Sequence, residues 1–340
     1  MLLRASLLAC LAALAGELTC PALAQSLETC LDSAADYSPV YPTATYPVGT
    51  KEVIAVWRFA KGEKHRELLG RFVAIDVGSA APPNYKIAEA KMAVGKTSEG
   101  RFRFTLPRPM PAGHYVVEVS ADGHPWQSAV FDIAPRPDTP APGRLEDLAP
   151  LAEGRVWQYD FVQEAGEGAH VTLPDVKPDA EGKLRATGTY TVAGVDPIGT
   201  RISIRRNATP VLEEWWRLAS EGLFVTQRKE HASGDTVTLD PPQKILAWPP
   251  GDSEWSWEAK DKSERQSYRM WGPLPVETPS GKLPGYIVLL RNTQANGMEI
   301  TVERQFVAGM GMTREVTIFQ LGSVTAMRQS SVLRSPDKKQ

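Results

Sequence analysis

Cysteine is scarce in this sequence: 340 residues contain three, and Cys30 is the only one beyond residue 24. A single cysteine cannot form an internal disulfide, so no covalent framework holds the fold together. In an oxidising compartment Cys30 would pair with a second chain or stay a free thiol. We expect it to be an unpaired residue in a flexible N-terminal tail. The fold must then depend on buried apolar surface, which a chain of this length can supply.

Long apolar runs are also missing. After residue 24, no stretch approaches the roughly 18 apolar residues that a membrane-spanning helix requires. We therefore expect no transmembrane helix in the mature chain.

The start of the chain has the three-part layout of a secretory signal peptide. Met1–Arg4 is short and basic, Leu7–Ala15 is apolar, and Ala22-Leu23-Ala24 is a small-residue cleavage site. Residues 1–24 are therefore predicted to be a signal peptide, cleaved after Ala24. This predicts a periplasmic or secreted protein.

A lipid anchor is less favoured than simple export. It would need a small, apolar lead-in to a cysteine, but Glu17 lies close before Cys20. Cys10 follows too few apolar residues to serve instead.

A charge excess of either sign is missing as well. The chain has 38 Lys and Arg against 40 Asp and Glu, for a net charge of −2. Nucleic-acid binding requires a basic footprint that this balance does not provide. The same balance makes acidic membrane lipids poor partners.

Recognisable catalytic and cofactor motifs are not found. The sequence has no GxSxG elbow, no SxxK, no phosphate loop, no strand-linked GxGxxG and no CxxC. Five histidines are present, none at a ligand spacing such as HxH or HxxxH. His114 and His124 lie on successive predicted strands and could be neighbours, but a metal role is disfavoured. We therefore assign no catalytic residue, no metal and no cofactor.

Helical periodicity is also missing, and strand periodicity takes its place. Phe102, Phe104 and Leu106 alternate with Arg101 and other polar residues, which is typical of a half-buried strand. Asp122-Gly123 indicates a tight hairpin. Residues 51–134 are therefore predicted to form an antiparallel β-sandwich, after an extended leader or first edge strand at 25–50. Tyr85–Lys96 is left open between a short helix and an irregular loop.

A proline-rich segment separates this part from a second β domain. Residues 135–143 contain four prolines, which favour a stiff, extended linker. Residues 144–333 are predicted to form an antiparallel curved sheet or half-barrel, and 334–340 a frayed tail. A short helical turn is expected at Leu145–Leu151. After the strand that contains Trp157, strand-like runs follow at about 184–194, 199–206, 212–219, 222–229, 254–260, 285–293, 298–307 and 313–321. The domain is rich in tryptophan: Trp157, Trp215, Trp216, Trp248, Trp255, Trp257 and Trp271.

Acidic residues stand beside tryptophan at two places in this domain. They are Glu213-Glu214-Trp215-Trp216 and Glu254-Trp255-Ser256-Trp257-Glu258. Glycosidases use two acids with an aromatic floor, so the composition suits a carbohydrate site. Strand alternation favours another interpretation, in which the acids point to water and the indoles to the core.

From Gly154 the chain resembles a family of uncharacterised β domains in bacterial secreted and envelope proteins. The resemblance covers about 150–330. Its motifs here are Gly154-Arg155-Val156-Trp157-Gln158-Tyr159, Trp248-Pro249-Pro250-Gly251 before Trp255-Ser256-Trp257, Thr278-Pro279-Ser280-Gly281, and Phe306-Val307-Ala308-Gly309-Met310-Gly311. It implies an envelope-associated domain and supplies no catalytic residues. Gly251, Gly309 and Gly311 are interpreted as structural glycines that allow a positive φ or a close backbone approach.

The N-terminal part is similar to immunoglobulin-like modules of exported proteins, through Pro111-Ala112-Gly113-His114-Tyr115 and Asp122-Gly123. The overall prediction is an exported, non-catalytic binding or structural protein of the bacterial cell envelope. Its partner would be an envelope protein or an apolar ligand.

Two alternative functions follow from the second domain. One is a carrier that shelters a lipid or acyl chain in a concave sheet lined by Trp215, Trp255, Trp257 and Tyr286. The other is a glycan-active enzyme that uses Glu213, Glu214, Glu254 or Glu258.

Overall fold

A computed structural model describes residues 25–136, 140–166, 168–173, 176–294, 297–322 and 324–335. The predicted signal peptide (1–24), part of the predicted linker (137–139) and most of the predicted tail (336–340) lie outside the described residues. The structure is 65% strand and 2% helix. The all-β prediction is therefore confirmed.

Nine strands build the N-terminal part. They are β1 (Ser26–Ser33), β2 (Pro39–Pro42), β3 (Thr45–Pro47), β4 (Glu52–Arg58), β5 (Glu67–Asp76), β6 (Tyr85–Ala93), β7 (Glu99–Thr105), β8 (Gly113–Ala121) and β9 (His124–Ala134), with a 3-10 turn at Gly78–Ala80. Two sheets result, in the orders β2-β1-β4-β7 and β3-β9-β8-β5-β6. All pairs are antiparallel except β3 with β9, which is parallel. We call this part the sandwich.

The structure of the sandwich differs from three local predictions. Residues 25–50 are extended as expected, but β1 lies between β2 and β4 and is not an edge strand. Cys30 on β1 is 0% exposed, so the prediction of a flexible tail is wrong there. Tyr85–Ala93 is β6, an edge strand, and neither a helix nor an irregular loop.

Twelve further strands follow the short helix α1 (Leu145–Leu148). They are β10 (Val156–Ala165), β11 (Leu184–Asp196), β12 (Gly199–Arg206), β13 (Thr209–Ala219), β14 (Gly222–Glu230), β15 (Thr236–Ala247), β16 (Ser253–Glu258), β17 (Arg265–Thr278), β18 (Gly281–Thr293), β19 (Met298–Val307), β20 (Gly311–Leu321) and β21 (Val324–Leu333). They form one antiparallel sheet, in the order β15-β14-β13-β12-β11-β10-β21-β20-β19-β18-β17-β16. The sheet is nearly closed on itself, and we call it the large sheet.

The curved antiparallel sheet predicted for the second domain is thereby confirmed. No helix among the described residues is long and apolar enough to cross a membrane.

Two apolar clusters hold these layers together. One lies inside the large sheet and includes Trp157 of β10, Trp216 of β13 and Tyr286 of β18; Leu148 of α1 also belongs to it. The other is the sandwich core, and it continues onto the outer face of the large sheet through Trp271 and five other buried residues: Leu274, Val276, Ile287, Leu289 and Val307. The sandwich and the large sheet therefore share one core.

Candidate functional site

The large sheet closes at the seam between its edge strands, β15 and β16. On β15, Pro241 and Pro242 have no N–H and cannot extend a ladder. The indole of Trp257 instead donates to the Pro241 carbonyl at 2.7 Å, and that of Trp255 to the Lys244 carbonyl at 3.0 Å. Two indole hydrogen bonds thus take the place of much of a backbone ladder along this seam.

The alternation predicted on β16 is confirmed. Glu254 and Glu258 are exposed, Trp255 is half-buried and Trp257 is buried. Glu254 pairs with Arg269 at 3.1 Å on the outer face. These two carboxylates therefore do not share a crevice with the indoles.

On β13 the prediction that the acids point to water and the indoles to the core is wrong for Glu214 and for Trp215. Glu214 and Trp215 do face opposite ways, but Glu214 points into the large sheet together with Trp216. The Trp216 indole donates to the Glu214 carboxylate at 2.7 Å, and Arg228 on β14 donates to it at 2.8 Å. An inward carboxylate is tolerated here because it is hydrogen-bonded and paired.

A chain of polar side chains extends from Glu214 across the interior. Arg228 also donates to the Gln243 side chain, and Gln243 donates to Gln266 and to the Tyr268 hydroxyl. Gln266 in turn donates to Glu264 at 2.6 Å. This network connects β13 and β14 with β17, so it crosses the seam from the inside.

A second inward ion pair lies nearby on β19 and β20. Arg304 donates to Glu315 at 2.7 Å. Burial alone would raise the pKa of Glu214, but the charges of Arg228 and Arg304, with the Trp216 hydrogen bond, outweigh burial and lower it. Glu214 is therefore held as an anion, which is unsuited to the general acid of a glycosidase.

The space left inside the large sheet is small. A cavity of about 70 Å³ is bounded by Glu214, Arg304 and Glu315 on its polar side. Ligand pockets measure roughly 300–1,000 Å³, and one water occupies about 30 Å³ of liquid. This charged cavity therefore has room for a few waters and not for an acyl chain.

The four residues predicted to line a ligand lie in three different places. Trp215 is on the outer face of β13, and its indole donates to Asp196 at 2.7 Å. Trp255 and Trp257 lie at the seam, and Tyr286 belongs to the interior cluster. Trp257 also lines a cavity of about 360 Å³ beside the seam, together with Leu239 and Ala259.

A metal site finds no support in the part of the chain that the structure describes. Within it, no group of three or more His, Cys, Asp or Glu side chains is arranged to hold an ion. His114 pairs in register with Asp132, whereas His124 pairs with Ala121. The two histidines therefore lie at opposite ends of their hairpin and are not neighbours.

Two of the three structural glycines have a clear backbone reason. Gly309 and Gly311 adopt φ values of +79° and +87°. A Cβ on Gly311 would also lie 3.2 Å from the Trp157 indole nitrogen. Gly251 has neither a positive φ nor a close neighbour, so that explanation does not apply to it.

A cleft of about 620 Å³ lies between the sandwich and the large sheet. One wall is the segment 41–47, which spans the end of β2 and all of β3, and residues 134–136, from the last residue of β9 onward, also line it. The large sheet supplies Leu274 and Pro275 from β17. The walls are rich in proline and tyrosine, so the cleft is apolar and stiff. Its volume lies within the usual range for ligand pockets, roughly 300–1,000 Å³.

Hydrogen bonds fix the two walls of the cleft to each other. The Tyr41 hydroxyl donates to the Pro275 carbonyl, and Arg136 donates to the Gly272 carbonyl at 2.8 Å. Burial, with the negative charges of Glu303 and Glu277, raises the pKa of Tyr41 to about 12. The phenol therefore stays protonated and keeps this bond over the physiological pH range.

The charged groups at the rim of the cleft are already paired. Arg314 bonds to Glu303 at 2.7 Å, and Lys282 lies 3.3 Å from Glu277. Arg136 similarly pairs with Asp252. A neutral or apolar ligand therefore matches the cleft better than an ion.

Sequence reasoning did not find this cleft. Tyr41 and Pro275 are separated by 234 positions, and neither belongs to a recognisable motif. The interior network had a weak signal: Arg304 lies in phase with Val302 and Phe306 on β19, so it is a charge on the apolar face of a strand.

No family model and no curated protein matches the chain. Among solved structures, a "putative lipoprotein" from Parabacteroides distasonis ATCC 8503 is 12% identical with a TM-score of 0.28, over 54% of this chain and 95% of that one. A "putative exported protein with YmcC-like fold" from Bacteroides fragilis NCTC 9343 is 13% identical with a TM-score of 0.25, over 54% and 94%. Both TM-scores are below 0.5, so this likeness carries no argument about the chain.

Proposed function

We propose that this chain is an exported, non-catalytic binding protein of the bacterial cell envelope, and that the cleft between the sandwich and the large sheet is its binding site. The observation that carries this proposal is the cleft itself, with its apolar walls and paired rim charges. The predicted signal peptide supports export.

The ligand that fits best is an extended, apolar segment of an envelope protein. β3 is the edge of its five-stranded sheet and forms one wall, so an extended chain can lie alongside it. Pro42 and Pro47 offer no N–H, so apolar contact supplies more of the affinity than a backbone ladder. A free apolar small molecule is the alternative occupant.

Filling the cleft tests this proposal. Ala44 lies in the wall and is exposed, so Ala44→Trp occupies the space without removing a side-chain contact. Ala232 is exposed in the β14–β15 turn, and Ala232→Trp is the matched control. Immobilised wild type and each variant are incubated with envelope extract, and the captured species is then titrated.

We expect wild type and Ala232→Trp to retain one saturable partner and Ala44→Trp to lose it. Equal capture by all three proteins would place the binding site elsewhere. Failure of the wild type to retain anything saturable at both low and high salt would count against a binding function.

The two alternative functions have less support in the geometry. A carrier needs its four predicted lining residues to surround one space, but they lie in three places. The charged cavity inside the large sheet measures only about 70 Å³, and the cavity of about 360 Å³ beside the seam is lined by Trp257 alone of the four. A glycosidase needs a protonated carboxyl near a second acid, whereas Glu214 is held ionised and Glu254 and Glu258 face outward.

A further inference from the structure

An unpaired set of cations lies on the outer face of β12–β15. Its members are Arg201 and Arg205 on β12, Arg217 on β13, Lys229 on β14 and Lys244 on β15. No salt bridge within 4 Å is formed by any of these five among the described residues, whereas Arg228, which points inward on the same strands, pairs with Glu214 at 2.8 Å. We call this set the cationic face.

The register brings these cations close together. Arg217 pairs with Phe224, and Phe224 pairs with Lys244. The Lys244 ammonium lies 5.6 Å from the centre of the Phe224 ring. Aliphatic stems can therefore cover the aromatic rings while the charged ends stay in water.

Three carboxylates share this region and offset part of its charge. The hydrogen bond from Ser220 lowers the pKa of Glu221, and the charges of Lys244 and Arg217 lie close enough to contribute to this shift. Asp196 accepts the Trp215 indole N–H, Glu213 pairs in register with Lys229, and Glu221 in the β13–β14 turn accepts the Ser220 hydroxyl. Five cations against three anions leave a positive excess, even though the whole chain is slightly negative.

An exposed apolar tip adjoins the cationic face. The β11–β12 hairpin turns at Val195-Asp196-Pro197-Ile198, where Val195 is 70% exposed and Ile198 is 42% exposed. Gly194 pairs with Arg201, and Thr200 pairs with Trp216, which places Arg217 beside the same hairpin. The exposed apolar side chains are thus flanked by unpaired arginines.

We propose that this tip and the cationic face dock on an anionic lipid surface. Apolar side chains at the tip enter the headgroup region, and the flanking cations contact the acidic headgroups. The inference concerns a different surface from the cleft and does not depend on what the cleft binds.

A second hairpin of the same chain has an exposed apolar tip but differs in the charge of its neighbours. The β20–β21 hairpin also exposes two apolar residues, Leu321 at 57% and Val324 at 49%. Its neighbours are acidic: Glu299 pairs with Gln320, and Asp36 accepts the Thr325 hydroxyl. An anionic surface would repel this second tip, so it serves as the matched control.

The test measures partition of the purified protein onto vesicles by co-sedimentation. One set contains two parts phosphatidylcholine to one part phosphatidylglycerol, and the other contains phosphatidylcholine alone. The variants are V195S/I198S at the tip and R217Q/K244Q on the cationic face. The controls are L321S/V324S at the second tip and K61Q/K64Q, two exposed lysines of the sandwich.

We expect wild type and both controls to bind only the anionic vesicles, with binding that weakens as salt rises. Each test variant should bind about tenfold more weakly or worse. No binding by wild type, equal binding to both vesicle sets, or equal losses in the controls would each overturn the proposal. Ala44→Trp should bind vesicles like wild type, so this result and that of the cleft experiment are independent.

Discussion

At the scale of single residues, the notable positions are charges buried by the fold. Asp32 on β1 is 1% exposed and pairs with Arg291 of the large sheet at 2.9 Å and with Arg103 at 3.1 Å. Burial alone would raise the pKa of Asp32, but the hydrogen bonds and charge of Arg291, with the Ser33 amide and Arg103, lower it. This carboxylate therefore ties the sandwich to the large sheet.

The first prediction concerns the acid stability of this contact. Because the pKa of Asp32 is lower in the folded state, its contribution is present above about pH 4, its unfolded value, and is lost as pH falls through the folded value. Asp32→Asn should lower the free energy of unfolding by about 3–5 kcal/mol at pH 7. Urea titrations at a series of pH values measure both effects.

The difference between wild type and Asp32→Asn should narrow as the pH falls below about 4. Asp235→Asn, in an exposed turn, should change the free energy by no more than about 0.5 kcal/mol. If the difference in unfolding free energy between wild type and Asp32→Asn stayed constant down to the most acid pH, the ion pairs of Asp32 with Arg291 and Arg103 would be contradicted.

At the scale of elements, proline explains where the predicted strand pattern was incomplete. β15, β17 and β21 were not among the strands inferred from alternation. β15 contains Pro241 and Pro242 at an edge, and in β17 the register shifts between Trp271 and Leu274, where Pro273 lies. Edges and bulges are the positions where a sheet tolerates proline. β21 carries mostly small and polar residues, so its alternation is weak.

The second prediction concerns the seam between the two edge strands. Trp257→Phe keeps an aromatic ring but removes the hydrogen bond to the Pro241 carbonyl. We expect a loss of about 0.5–1.5 kcal/mol, the net contribution of a typical hydrogen bond, because this bond is only partly buried. Hydrogen exchange should also become faster at the Lys260 amide, which bonds across the seam to Asp240 at 2.8 Å.

Trp126→Phe is the matched control for the seam. It removes an indole hydrogen bond of 2.8 Å to Glu63 within the sandwich. It should leave exchange at Lys260 unchanged. Equal acceleration by both variants would mean that the indole bonds at the seam have no local role.

At the scale of the whole molecule, the sandwich and the large sheet behave as one packed body. Six buried residues of the large sheet belong to the apolar cluster of the sandwich. Ion pairs at Asp32 and Glu52 cross the same boundary. The proline-rich segment joins two parts that share a core, which is why the cleft between them has fixed walls.

The third prediction follows from this shared core. Leu289 is 1% exposed, and Leu289→Ala should cost about 2–5 kcal/mol. Because its side chain packs in the sandwich cluster, hydrogen exchange should accelerate in β4 and β7 as well as in β18. In wild type, unfolding measured by tryptophan emission and by far-UV circular dichroism should coincide. Two separate transitions would contradict a shared core.

The sequence by itself determined the local features of this protein. Alternation gave the strands around Phe102 and Trp257, because a strand exposes and buries successive side chains. It also gave the all-β class, the sheet that curves, and a short helical turn predicted over Leu145–Leu151, where the helix spans Leu145–Leu148. These properties depend on neighbours along the chain, so the printed sequence contains them.

Only the tertiary structure decided which side chains are buried and which distant segments contact each other. Cys30 and Glu214 are buried because distant strands cover them, and no local pattern encodes such coverage. The cleft exists because Tyr41 and Pro275 meet across 234 positions. The cationic face likewise arises because the register of β12–β15 gathers charges that are scattered in a nearly neutral sequence. Contacts between remote segments depend on how the whole chain packs. Neither local patterns nor the overall composition of the sequence contains that information.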